Sequence, residues 1–271
     1  MDKILSLFPN GSGQFSETFD TFTKEWGKML QYQTITRMRL PIVQAKYSER
    51  ILELLDEMRP GNRFSNLLVD GEKFFIEGKN KEIAIAGAKE AVDQSLKVGD
   101  SMALLRGHTI LENALQKFLE IILAISPASF YDKLNNQSVS IGQARDPQFE
   151  SILTERATKH VIGIRKESIL IKCDQLLNIL GSEHNKYSSK IFKYNRVIIE
   201  EIDIRRHDVA HGRNLSLTGS QVDSDLDYLF QAFGYFVFLM HVKFDLKISG
   251  YPYISEALKK RDRCLAITPQ V

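Results

Sequence analysis

The sequence predicts an all-α protein, because helical patterns fill most of the chain and strand patterns are almost absent. Apolar residues recur at helical spacing, most clearly at Leu111, Leu115, Phe118 and Ile122, which would place one face of that helix in a core. Glycine and proline fall between the periodic segments, as in Arg-Pro-Gly at 59–61, where they end helices. A multi-helix bundle is therefore the expected architecture.

The helices can be placed in order along the chain from this periodicity. We predict them at residues 16–30, 42–58, 81–96, 102–125, 147–161, 166–180, 187–211 and 228–246. A turn is expected at Asp70-Gly71, and residues 131–146 form a polar loop with a short extended piece at 138–141. Ser224 or Asp225 is expected to cap the last helix.

The sequence Val-Gly-Asp-Ser at 98–101 predicts a break between two of these helices, and it is where we divide the chain. Residues 1–98 form an N-terminal helical region of unknown role, and residues 99–271 form a C-terminal helical bundle. No linker rich in proline or serine marks the boundary.

The most apolar segment, 228–246, is expected to be a buried helix and not a membrane span. Gln231, His241, Lys243 and Asp245 interrupt it, and a span requires about 20 predominantly apolar residues. A helix that is apolar nearly all round lies in a core or between subunits.

The cysteines and the N-terminal segment favour a protein of the cytoplasm, and neither a metal nor a cofactor is expected. The formal net charge of +2 means that any nucleic-acid surface must be a local patch. Cys173 and Cys264 have no metal-ligand spacing, which favours a reducing compartment. The apolar run before Pro9 is too short for a signal peptide.

The most informative segment is 205–214, which reads Arg-Arg-His-Asp-Val-Ala-His-Gly-Arg-Asn. It follows an apolar-periodic stretch and is expected to form the last turns of a helix, with Gly212 in the left-handed conformation after the C-cap. The partial negative charge of a helix C-terminus favours imidazolium and offsets repulsion among these cations. A compact cationic site with groups that titrate near neutrality suits a phosphodiester ligand.

Arg206 and His211 enclose a polar residue and three more, which resembles the signature of HEPN domains (higher eukaryotes and prokaryotes nucleotide-binding). The stretch 104–119 is also similar to the opening helix of bacterial HEPN families, and the resemblance covers about residues 100–246. It implies a metal-independent endoribonuclease that acts as a homodimer, with the motifs of both subunits facing one cleft. With this resemblance we expect a toxin or effector in bacterial defence against phage or stress, and an antitoxin or regulatory protein as a possible partner.

The chemistry implied by the resemblance agrees with the residue types. RNA supplies its own nucleophile, the 2′-hydroxyl, so the protein has to supply a base, an acid and charge stabilisation. His211 would be the general base or acid, and Arg206 would hold the phosphoryl oxygens. The products would be a 2′,3′-cyclic phosphate and a 5′-hydroxyl.

Arg206 and His211 diverge by about 140° on an ideal helix, so a second subunit would supply a facing set more easily than one chain alone. His207 would position the substrate, and Arg205 and Arg213 would contact RNA, with Arg205 as a rival for the role of Arg206. Arg213 stands where HEPN toxins regulated by a nucleotidyltransferase carry a tyrosine, so regulation through such a tyrosine is not expected.

Plainer interpretations stay open for each residue. The motif can be a solvated basic helix end with a histidine that stabilises the dipole. His108 and Glu112, four residues apart, can be a second acid–base pair or a structural hydrogen-bonded pair. For the whole protein, the alternatives are a non-catalytic nucleotide- or RNA-binding module and an interaction subunit of a larger complex.

Overall fold

The computed structural model describes residues 11–57, 68–69, 72–73, 79–134, 148–181, 192–213 and 217–246. Within these ranges the fold is all-α, as predicted. The helices are α1 (Gly11–Glu57), α2 (Lys79–Ile125), α3 (Phe149–Ile164), α4 (Ile169–Leu180), α5 (Arg196–Ala210) and α6 (Gly219–Phe244), with a 3-10 helix at Pro127–Leu134. Two short strands, β1 (Leu68–Val69) and β2 (Glu72–Lys73), pair in antiparallel register on either side of the predicted turn. The turn itself and the extended piece expected at 138–141 lie outside the described residues.

The helix break predicted at 98–101 is wrong, because α2 continues through it. A Cβ at Gly99 would lie 3.3 Å from Thr36 of α1, so the glycine permits close approach of two helices. Asp100 is buried and accepts hydrogen bonds from Arg37 at 2.9 Å and Gln33 at 3.1 Å. Residues that indicate a local turn in sequence thus serve tertiary packing here, and the boundary chosen at residue 98 falls inside a helix.

Helix α1 also joins two predicted helices, and it contains Pro41. A proline inside a helix lacks the N–H that would bond four residues back, which is why a break is the usual expectation. Phe15 of α1 packs against Phe118 of α2, whereas Thr36 faces Gly99, so the two helices run antiparallel over a long distance. Ile42 and Val43, which follow the proline, are exposed, so α1 continues past Pro41 without burying this turn in the core.

The core is a single cluster built around α6, as expected for the apolar segment. Phe233 of α6 stacks on Phe22 of α1 with 3.5 Å between ring centroids, and Phe118 of α2 lies against the same ring. Aromatic residues from the first thirty positions therefore share one core with helices that follow residue 99. None of the described helices has the length and apolar character to cross a bilayer.

The cap predicted for the last helix is wrong. Helix α6 begins earlier, at Gly219, and Thr218 caps it by accepting a hydrogen bond from the Gln221 amide at 3.2 Å. Asp225 is buried inside the helix, where its carboxylate binds Arg205 of α5. Because a buried carboxylate requires a partner, the Asp225–Arg205 pair fixes the position of α5 against α6.

Candidate functional site

The Arg206–His211 motif occupies the last turn and the C-cap of α5. The helix ends at Ala210, His211 is the C-cap, and Gly212 has φ 65°, the left-handed conformation predicted for it. The Gly212 amide donates to Val209 O at 3.1 Å and the Arg213 amide to Asp208 O at 2.8 Å. This is the Schellman pattern, which ties down the carbonyls at the helix end and fixes the backbone that carries both histidines.

Arg205 points into the protein. Its Nε and Nη2 donate to the two carboxylate oxygens of Asp225, both at 2.8 Å, and Gln221 donates to the same carboxylate at 2.9 Å. The Asp225 side chain is 3 % exposed, so this bidentate pair joins α5 to α6 in a largely desolvated setting. RNA binding by Arg205 stays a prediction, but its guanidinium is already engaged.

Arg206 is held by a carboxylate one turn earlier on the same helix. Its Nη2 donates to Asp203 Oδ1 at 2.8 Å, and the side chain is 30 % exposed. His108 Nε2 of α2 lies 2.9 Å from the same oxygen. The His108 imidazole and the Arg206 guanidinium lower the pKa of Asp203 to about 2. Asp203 is therefore a carboxylate at any ordinary pH and keeps Arg206 in place.

The contacts continue from His108 deeper into the bundle. The Nδ1 atom lies 3.9 Å from Glu112 Oε2, and Glu112 Oε1 accepts a hydrogen bond from Lys172 at 2.7 Å. Lys172 is buried and also donates to the carbonyls of Arg165 and Glu167. The sequence predicted proximity of His108 and Glu112, and they do lie close together, but it missed Asp203 and Lys172 as partners. The only local signal was Asp203 three residues before Arg206.

His207 and His211 are exposed on the outer side of the helix end. Their ring centroids are 4.3 Å apart and the rings are tilted by 55°. The structure thus brings the two histidines together, while the Arg206 guanidinium pairs with Asp203 one turn earlier on the same helix. Arg213 follows at the surface, immediately after the left-handed glycine.

A groove of about 740 Å³ lies apart from the motif, between α1 and α2. It is lined by Gln14, Glu17, Thr18, Thr21, Phe22, Glu25, Arg106, Ile110, Glu112, Asn113, Ala114, Gln116, Lys117, Glu120, Ile121, Arg165 and Lys172. Its cations pair with its carboxylates: Arg106 with Glu25, Lys117 and Arg165 with Glu120, and Lys172 with Glu112. The groove therefore presents no unpaired cation among its described lining residues, and no residue of the segment 205–214 lines it.

No three His, Cys, Asp or Glu side chains converge as a metal site within the described ranges. Comparison with protein-family models, with curated proteins and with solved structures gave no match.

Proposed function

We propose that the protein is a HEPN-type endoribonuclease that cuts RNA without a metal, by attack of the 2′-hydroxyl on the adjacent phosphorus. One observation supports this function above all others. Two exposed imidazoles, His207 and His211, lie next to each other at the end of a helix that also carries Arg206, whose guanidinium is fixed by Asp203. Base, acid and charge stabilisation are the three functions that RNA cleavage requires.

The reaction balances with these groups. An imidazole of His211 accepts the proton of the 2′-hydroxyl while the 2′-oxygen bonds to phosphorus and the bond to the 5′-oxygen breaks. A second imidazole, either His207 or His211 of a second copy, gives a proton to the departing 5′-oxygen. The products are a 2′,3′-cyclic phosphate and a 5′-hydroxyl, and no metal-bound water takes part.

Arg206 stabilises the charge that accumulates on the phosphoryl oxygens. Arginine has five N–H donors in a fixed fork, and Asp203 occupies only one side of it. The Nε atom is buried, so an incoming phosphate would meet the other N–H groups of this partly exposed side chain. Because the guanidinium is already positioned, little ordering entropy is lost when a phosphate arrives.

A homodimer completes the site in this proposal. Arg206 is held by Asp203 and is only partly exposed, whereas His207 and His211 are exposed. On an ideal helix Arg206 and His211 also diverge by about 140°. A second copy related by a two-fold axis would place its own motif helix opposite and supply the missing group. The protein would act in the cytoplasm as an effector or toxin, restrained by an antitoxin or regulatory protein, with Arg205 and Arg213 near the RNA.

The test is cleavage of mixed RNA by purified protein in EDTA, comparing wild type with His211→Ala and Arg206→Ala. Arg196→Ala is the matched control, because Arg196 lies at the other end of α5 and pairs with Asp174. Cutting by wild type and the control, but by neither motif variant, is the expected result. Binding of RNA without cutting would instead favour the non-catalytic module. Neither binding nor cutting would favour the interaction subunit.

A further inference from the structure

The exposed histidine pair has a geometry that ribonuclease chemistry alone does not require. His207 and His211 are four residues apart, so both rings project from the same side of the helix end. The 4.3 Å between their centroids brings the rings close enough for one nitrogen of each to reach a common point about 2.0–2.1 Å away, the usual zinc–imidazole distance. Helical histidines at this spacing are a recurrent way to provide two metal ligands.

The local charges permit a cation at this position. Arg205 and Arg206, the nearest arginines before the pair, are neutralised by Asp225 and Asp203. The helix C-terminus contributes partial negative charge within its last turn. Arg213 is the remaining nearby cation of the motif, and it is exposed, where solvent screens its repulsion.

We propose that His207 and His211 chelate one divalent transition-metal ion per chain through a ring nitrogen of each imidazole. Imidazole prefers Zn²⁺, Ni²⁺ and Cu²⁺, whereas Mg²⁺ and Ca²⁺ prefer oxygen ligands, so the site discriminates between these two classes. Only two protein ligands are present, and water fills the other positions. The ion is therefore exchangeable, unlike the four-ligand ions that hold small domains together.

Occupancy has a consequence that rests on the proposed function. A metal ion takes the nitrogen lone pair that His211 would use to accept the proton of the 2′-hydroxyl. The metal-bound and proton-transferring states of His211 exclude each other, so Zn²⁺ would inhibit cleavage and a chelator would restore it.

The test is titration of metal-free protein with Zn²⁺ and Ni²⁺, followed by calorimetry, with Mg²⁺ as the negative probe. Wild type should bind one equivalent of either transition metal, and His207→Ala and His211→Ala should each weaken binding about tenfold or more, because a single imidazole is left. His160→Ala on α3 is the matched control and should bind as wild type does. Both motif residues are exposed, and unchanged circular dichroism would show that the variants remain folded.

Equal affinity in wild type and both motif variants, or no saturable binding by wild type, would overturn the metal site. The proposed ribonuclease is scored separately, by RNA cleavage in EDTA. Metal binding without any cleavage would support the metal site and refute the nuclease. Cleavage without metal binding would support the nuclease and refute the metal site.

Discussion

The two sides of the motif helix differ in how their charged groups are used. On the inner side, Arg205 and Arg206 are each bound to an aspartate, and Asp225 is almost fully buried. On the outer side, His207 and His211 are exposed and lie next to each other. The inner side therefore fixes the helix and orients one guanidinium, while the outer side holds the groups able to exchange protons or bind an ion. A cluster of four cationic residues in sequence thus separates into a structural half and a chemical half.

The largest expected effect is on the chemical half. Replacing His211 by alanine removes the proposed proton acceptor, and general acid–base catalysis contributes roughly 10²–10⁴-fold to a rate. We expect cleavage to fall by that factor while the thermal midpoint hardly changes, because the side chain is exposed. The measurement is a rate on a defined RNA, with His160→Ala as the control. Full activity in His211→Ala would show that the exposed side of the helix does not supply the proton acceptor.

The next effect is on the structural half. Arg205→Ala leaves the Asp225 carboxylate buried with only Gln221 as a donor. Breaking a buried ion pair from one side costs about 3 kcal/mol, at the lower end of the usual range because Gln221 remains. Urea unfolding should show this loss. Stability equal to wild type would show that the pair is solvated and that Arg205 is free for RNA.

Asp203 tests whether the inner side also positions Arg206. Asp203→Asn should lower the free energy of unfolding by about 1.5 kcal/mol, the value for one half-exposed hydrogen bond to a charged group. Asp174→Asn removes another arginine–aspartate pair of the same helix, at its exposed end, and should change stability little. If Arg206 needs its partner, only Asp203→Asn should also slow RNA cleavage. Equal cleavage rates in both variants would make Asp203 purely structural.

The smallest effect is a dependence on pH. The pKa of Asp203 is lowered to about 2 in the folded protein, against about 3.9 in an unfolded chain. Its stabilisation is therefore complete above the unfolded value and is lost as the pH falls toward 2. The difference in unfolding free energy between wild type and Asp203→Asn should be constant from pH 7 to pH 5 and shrink between about pH 4 and pH 2. A difference that grows on acidification would have the wrong sign for a lowered carboxylate pKa.

The sequence predicted what depends on local patterns. The helix class, the buried segment around Phe233 and the left-handed Gly212 all follow from periodicity and capping, which act within a few residues. The helix break predicted at Gly99 and Asp100 was wrong, because residues that end helices also suit close helix packing and a buried ion pair. The neighbouring sequence does not distinguish a glycine and an aspartate that end a helix from the same residues in a tertiary contact.

The side chains that contact the two motif arginines could not be assigned from the sequence for a related reason. Arg205 and Arg206 are neighbours with the same chemistry, and they differ because Asp225 of α6 binds Arg205, whereas Asp203, which His108 of α2 approaches, binds Arg206. The contacts with α6 and α2 join residues 20 and roughly a hundred positions apart. The proximity of His207 and His211 was predictable, because four-residue spacing fixes it on any helix end.

The most direct test of the central claim is the chemistry of the cut RNA ends. Wild-type protein in EDTA should leave 2′,3′-cyclic phosphates and 5′-hydroxyls, because in the proposed reaction the nucleophile belongs to the RNA and the protein contributes His211 and Arg206. Products with 3′-hydroxyl and 5′-phosphate ends, or cutting that appears only when Mg²⁺ is added, would contradict the account.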